Sequence, residues 1–334
     1  MANQIRRREF IATLGGAAAA WPLVVRAQQG TERPRRIGWL VGLAEEDPEA
    51  RRRNEIVINA LRDLGWIVDR NLHIDYRYTI GEDQHFDAQA AELIALAPDV
   101  LFVNNTPATR ALQRATAMIP IVFAFVLDPV ASGVVTNLAR PGGNVTGFTN
   151  FEVSMGGKWL GLLKELAPRT TKVALIFNPS TAPYIGMLRS IEAAAPSYAI
   201  EIATRGVADA TAMEDAIAAA GRESGTAVIV FPDLFTTANH ERIVALASQH
   251  ALPAVYPYRF FTAIGGLMSY GIDTSDLLRR TAGYLDRVLR GENPRDLPVQ
   301  APSKFELVIN LKTAKTLGVT VPLTLQATAD EVIE

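Results

Sequence analysis

The chain of 334 residues has no cysteine at all. That absence removes disulfides, thiolate metal sites, cysteine nucleophiles and lipid attachment through an N-terminal cysteine. Histidine is almost as scarce: His240-Glu241 has Val244, not a second histidine, one helical turn later, and His73, His85 and His250 are scattered. The zinc-protease helix is therefore broken and no metal site is expected. There is no Walker phosphate loop, no G-x-S-x-G, and no G-x-G-x-x-G after the first strand, where Gly38-Trp39-Leu40-Val41-Gly42 is simply apolar. No cofactor and no catalytic constellation are expected, and the chain does not read as an enzyme. Excess positive charge is missing too: 33 basic residues stand against 35 acidic ones, a formal net charge of -2. No excess of positive charge is available to neutralise a phosphate backbone, so nucleic acid is not expected as a main partner.

Apolar runs of bilayer-spanning length are also lacking. The stretch from Ile11 to Val25 is too short to cross a membrane. Arg6, Arg7 and Arg8 precede it, and Val25-Arg26-Ala27 ends it with the modest side chains a signal peptidase needs. Residues 1–27 are expected to be an export signal cut after Ala27, and Arg7-Arg8-Glu9-Phe10-Ile11 resembles the twin-arginine type. Cleavage removes four arginines and one glutamate, leaving a net charge near -5. A periplasmic location follows.

What is present is a folded composition. Hydrophobic residues make up 49% and charged residues 20%, with glycine and proline scattered. That length and balance suit one large domain or two ordinary ones. From Arg36 onward, short runs rich in Val, Ile, Leu and Phe alternate with stretches of helical spacing. Ile37–Leu43, His73–Thr79, Val100–Asn104 and Ile119–Leu127 read as strands, and continuous apolar runs such as 120–127 suit parallel strands covered on both faces. Gly142, Gly143, Asn144 and Gly147 then break the pattern as a turn at a crossing. A second series follows, with strands at 172–177, 199–203, 227–231, 255–258, 266–270 and 305–310, and helices at 184–195, 210–223, 238–250 and 275–289. The fold class is α/β, with two doubly wound parallel-sheet lobes. The expected division is 35–149 plus 274–300 for one lobe and 150–273 plus 301–330 for the other.

Both halves repeat one construction at a strand end. Asn104-Asn105-Thr106-Pro107 and Asn178-Pro179-Ser180-Thr181 each put asparagine and a hydroxyl residue where a strand gives way to a helix, with Thr106 and Ser180 as candidate N-caps. Ligands in open α/β sheets bind outside the carboxyl ends of strands, where helix starts offer free donors. Asp128 and Asp233 occupy comparable places and suit a cationic group. Tyr256, Tyr258, Phe260, Phe261 and Tyr270 offer flat apolar contact on later strands. Each residue type also serves as an ordinary cap or packing group; the convergence of both halves is what points to a site.

The leader, the segment Asp128-Pro129-Val130, the run Leu138-Ala139-Arg140-Pro141-Gly142-Gly143-Asn144-Val145-Thr146-Gly147 and the tail Lys304-Phe305-Glu306-Leu307-Val308-Ile309-Asn310 resemble the ABC-transporter substrate-binding proteins of the tryptophan/tyrosine type. The resemblance implies a type I periplasmic binding fold, its lobes joined by three crossings near 147–151, 270–273 and 298–304. It implies a monomer that closes on a small molecule, an aromatic amino acid in members with known ligands, and delivers it to a membrane permease driven by an ATPase. It also implies site residues. Asn105, Thr106 and Pro107 would meet a carboxylate, with Asp128 nearby. Asn178, Ser180 and Asp233 would meet the ligand from the other lobe, Asp233 taking an α-amino group. Tyr256 and Tyr270, from the aromatic cluster, and Asp273 are added to these as candidate ligand contacts. The sequence departs from that pattern at Leu127 and at the bulky Pro232-Asp233-Leu234-Phe235. Two other classes use similar parts: a sensory subunit presenting the closed form to a receptor, and a secreted α/β enzyme built on Asp128 and Asp233.

Overall fold

A computed structural model describes residues 33–334 apart from 80–82, 151 and 153. The expected export signal and its cut after Ala27 lie outside the described residues. Among those described, no helix is long and apolar enough to cross a membrane.

The first lobe runs β1 (Arg35–Val41), α1 (Pro48–Asp63), β2 (Leu72–Tyr78), α2 (Asp83–Ala95), β3 (Val100–Val103), α3 (Thr106–Ala115), β4 (Ile121–Val126) and β5 (Val145–Thr149). Its five strands are parallel in the order β2-β1-β3-β4-β5. Every residue of β3 and β4 is buried, as strands covered by helices on both faces require. The Asp47 side chain accepts from the backbone N–H groups of Glu49 and Ala50 and so starts α1, with Pro48 where its missing donor is no loss.

The second lobe contains α4 (Met155–Leu166), β6 (Lys172–Phe177), α5 (Ile185–Ala194), β7 (Glu201–Gly206), α6 (Ala210–Gly221), β8 (Thr226–Val230), α7 (Leu234–Ala238), α8 (His240–Gln249), β9 (Ala254–Tyr256), α9 (Arg259–Ala263) and β10 (Met268–Ile272). The chain then forms α10 (Thr274–Leu289), β11 (Phe305–Asn310), α11 (Leu311–Thr316), α12 (Leu323–Thr328) and β12 (Glu331–Ile333). The sheet order is β12-β11-β10-β9-β8-β6-β7. Although α10 follows β10, it packs on α1, β3, β4 and β5 of the first lobe.

Several local expectations change. The glycine-rich break leads straight into β5, all five of whose residues are buried. β11 returns antiparallel to β10 because it enters the second lobe from the first. The strand expected to reach Tyr258 stops at Tyr256, before Pro257, which has no N–H for a ladder. The helix expected at 238–250 is observed at His240–Gln249, and a separate short helix, started at Leu234 by the Asp233 cap, precedes it. β12 is short and only half-buried, too weak a pattern for periodicity to mark.

Three segments cross between the lobes side by side. Thr149 N–H donates to the Gln300 carbonyl at 3.0 Å, Gln300 N–H to the Gly147 carbonyl at 2.9 Å, and Asp273 N–H to the Lys304 carbonyl at 3.0 Å. The Arg52 side chain of α1 reaches the Thr274 and Ser275 hydroxyls at 2.8 and 3.1 Å, tying the start of α10 to the first lobe.

Close approach at a crossing sets one firm limit on side-chain size. A Cβ on Gly271 would stand 1.8 Å from the Pro257 carbonyl oxygen, whereas one on Gly283, inside α10, would meet nothing within 4 Å. Gly271→Ala should destabilise the protein by about 2–4 kcal/mol, because backbone must move to admit the methyl group. Gly283→Ala should stabilise it by up to about 1 kcal/mol through helix propensity. Urea unfolding midpoints of the two variants check the opposite signs.

Candidate functional site

The site is built where strands end. β3 runs into Asn104 and Asn105, and the Asn105 Oδ1 accepts from Ala108 N–H at 2.8 Å, so Asn105 is the cap of α3. Thr106, expected to be the cap, is the first helical residue instead, and its hydroxyl accepts from Leu127 N–H at 3.2 Å. That bond joins the exits of β3 and β4. In the second lobe Asp233 does the corresponding work. Its Oδ1 accepts from Thr236 N–H at 2.7 Å and caps α7, and its Oδ2 accepts from Asn178 N–H at 3.0 Å, joining the exits of β8 and β6. Thr236 closes a capping box by accepting from Asp233 N–H at 3.3 Å.

Between these edges lies a cavity of about 30 Å³, which widens to about 400 Å³ only when its mouth and the adjoining open solvent are counted. Asn104, Asn105, Thr106, Pro107 and Leu127 wall it from the first lobe, joined by Arg53 and Phe125. Asn150 contributes from a crossing. Thr181, Ala182, Pro232, Asp233, Leu234, Thr237 and Tyr258 close it from the second lobe.

Two charged groups of opposite sign share this wall. Arg53 on α1 is only 4% exposed. Its Nε donates to Glu49 Oε1 at 2.7 Å, while its Nη2 is buried without a partner. The guanidinium carbon lies 4.6 Å from the centre of the Phe125 ring and 5.7 Å from that of Phe260, a cation–π arrangement with one ring from each lobe. Burial works to raise the Glu49 carboxyl, but Arg53 and Arg52 outweigh it and hold the group below its ordinary range. Asp233 behaves oppositely: burial pushes it up to about 6, against the hydrogen bonds from Thr236 and Asn178. Tyr258, pushed up to about 12 by burial, accepts from Asn150 Nδ2 at 2.8 Å. The Asn150 Oδ1 and the Asn105 Nδ2 are buried and unpartnered.

Phe125 reaches the cavity through a local irregularity. Its φ is 55°, and the β4–β5 register shifts between Phe123 and Val126. A bulge of this kind re-aims a side chain at the cost of local strain. The ring meets Tyr258 of the second lobe edge-on, with centroids 6.3 Å apart. The lobes are thus in contact across the cleft.

Of the residues singled out from sequence, Asn105, Thr106, Pro107 and Asp233 line the cavity, together with Asn104 and with Tyr258 of the aromatic cluster. The remaining site candidates stand outside it. Asn178 supplies its backbone to Asp233, while its side chain holds the Ala208 carbonyl and the exposed Ser180. Ser180 caps no helix, since the next helix starts at Ile185. Asp128, half-exposed, pins a turn through Ala131 N–H at 3.0 Å and does not meet Asp233 in the cavity. Tyr256 is buried and stacked on Phe261. Tyr270 stacks on Phe305 and takes the Lys158 ammonium at 3.1 Å. Asp273 caps α10. Arg53, Phe125 and Asn150 were not singled out as ligand contacts. Arg53 carried one legible signal, a glutamate one turn earlier in the Arg51-Arg52-Arg53 run. Among the described residues, no group of three or more acidic or histidine side chains could hold a metal ion.

The family model described as ABC transporter substrate binding protein matches residues 45–333. A tyrosine-binding protein of Clostridioides difficile (strain R20291) is 26% identical over 279 residues, 83% of this chain and 80% of the relative. A solved conserved domain protein from Vibrio cholerae aligns with a TM-score of 0.83 at 26% identity, covering 90% of this chain and 100% of that one. An ABC domain in complex with L-Trp from Streptococcus pneumonia also gives 0.83, at 25% identity, with 90% and 100% covered.

The Asp233 carboxyl has a consequence for the ligand-free protein. Its pKa rises on folding from 3.8 to about 6, so the native state holds more protons than the unfolded state between those values. This group's contribution to stability is therefore fullest below pH 4 and is lost as pH rises through about 6. The wild type's advantage over Asp233→Asn in urea unfolding should be larger at pH 4 than at pH 7, by about 1–3 kcal/mol. Parallel stabilities across that range would remove Asp233 as the cause.

Proposed function

The chain belongs to the ABC transporter substrate-binding protein family, and from that premise we propose that it clamps a small amino-acid-like molecule between its lobes and passes it unchanged to an ABC permease. The observation that carries this reading is the cavity at the strand ends, walled by polar groups from both lobes and by one charge of each sign. A zwitterion fits such a wall, because each of its charges would be costly to bury alone.

Asn105, Thr106 and Pro107 face the ligand from the first lobe, and Asp233 takes its α-amino group from the second. Asn178 supports Asp233 from behind, with Ser180 holding the Asn178 side chain. Residues 35–149 with 274–300 move as one lobe, and 150–273 with 301–330 as the other. The three crossings carry the bending. Ligand contacts that exist only when the lobes meet shift the population toward the closed form. The protein is exported, cut after Ala27 and held as a monomer in the periplasm, where a permease powered by an ATPase receives the ligand. No chemistry is performed on it.

The experiment is direct. Purified mature protein, denatured and examined by mass spectrometry, should release a small molecule bearing both an amine and an acid. L-tryptophan and L-tyrosine serve as first probes in calorimetry. An amine-bearing probe that binds should do so about tenfold more weakly at pH 5 than at pH 7, since Asp233, with its pKa near 6, must be ionised to receive the amine. A protein that carries no small molecule and binds none would overturn the reading.

A further inference from the structure

We propose that Arg53 is the anion receptor of the cavity, so that the ligand is selected through a carboxylate presented to the first lobe. This rests on the clamp reading above and goes on to say which chemistry the clamp requires.

Arg53 lies in the cavity wall at 4% exposure with one edge of its guanidinium committed. Nε donates to Glu49, and Nη2 has no partner. A buried, permanently charged donor without an acceptor is an expensive feature unless something that enters the site completes it. Glu49 does not neutralise it fully. The same carboxylate receives the Arg52 Nε at 2.7 Å and Nη2 at 2.9 Å, so two guanidinium groups share one negative charge. The Asn105 Nδ2, also buried without a partner, belongs to a residue of the same wall and packs against Gly42. A guanidinium with an open donor suits a planar carboxylate. A phosphate would bring more oxygens than that donor serves and a second charge toward Asp233.

The rings settle how the charge is presented. Phe125 at 4.6 Å and Phe260 at 5.7 Å flank the guanidinium. Hydrogen bonding is left to its edges, and the Glu49 bond at Nε leaves the neighbouring Nη2 open. Glu49 is thus a positioning residue. Phe260 belongs to the second lobe, so the site that receives the anion is complete only when the lobes meet. Anion capture and closure favour one another.

The test uses matched pairs on the ligand-free mature protein: L-tryptophan with L-tryptophanamide, L-tyrosine with L-tyrosinamide, L-leucine with L-leucinamide, and D-glucose and mannitol as neutral probes. Binding is read by calorimetry and thermal shift for wild type, Arg53→Lys and Arg53→Gln, and any molecule extracted from the purified protein is identified. The acids should bind wild type at least tenfold more tightly than their amides. Arg53→Gln should lose that discrimination, and Arg53→Lys should keep part of it. The wild-type comparison of acid with amide stands even if a variant fails to fold. Equal binding of acid and amide overturns the proposal, as does a neutral extracted molecule or undiminished acid binding by Arg53→Gln. A neutral probe bound equally by wild type and Arg53→Gln leaves the clamp standing while removing Arg53. If no probe binds and nothing is extracted, both readings fall.

Discussion

A guanidinium and a carboxyl group are both buried in the wall of one small cavity, and the rest of the site is arranged around keeping them there. Removing the partner of a buried charge typically costs about 3–5 kcal/mol. Glu49 serves Arg53 from its own helix, one turn away. Asp233 is served by two backbone N–H groups, one at the exit of β6 and one in the first turn of the helix it caps. Each charge is thereby tied to the secondary structure that delivers it, and neither can relax into water without dismantling a cap or an ion pair.

The capping interactions have a second effect. Asn105 and Asp233 both start helices, and Thr106 and Asp233 both bond across to a neighbouring strand exit. The edges of the two sheets are therefore held as rigid walls, while the segments joining them are few and lie side by side. Stiff walls on a narrow connection favour motion of whole lobes over motion within them. Phe125, with its positive φ, marks a point of strain where the first lobe reaches toward the second.

The permanent charge of Arg53 and the titratable charge of Asp233 also differ in kind. An arginine stays charged at any physiological pH, whereas a carboxyl raised to about 6 changes state in a mildly acidic medium. One side of the cavity is a constant; the other responds to the medium outside the cell membrane, where family members of this kind operate.

Much of the fold was legible. The alternation of apolar runs with helical spacing marked most elements of both lobes, since a strand covered on both faces must be continuously apolar. Asn105, Thr106, Pro107 and Asp233 were legible because polar and turn-forming residues just past a buried strand mark its carboxyl end, although the cap itself fell on Asn105 and not on Thr106. Arg53 was hidden in a run of three arginines that reads as a solvated helix face; which of the three turns inward depends on the helix packing beneath α10. Phe125 was hidden inside a uniformly apolar strand, because a bulge leaves no mark in composition. The sequence alone determined two α/β halves with polar caps at their strand ends, through local periodicity and backbone preference. Only the tertiary structure decided which side chains share the cavity and that opposite charges meet there, because burial and proximity arise from packing between elements far apart in the chain.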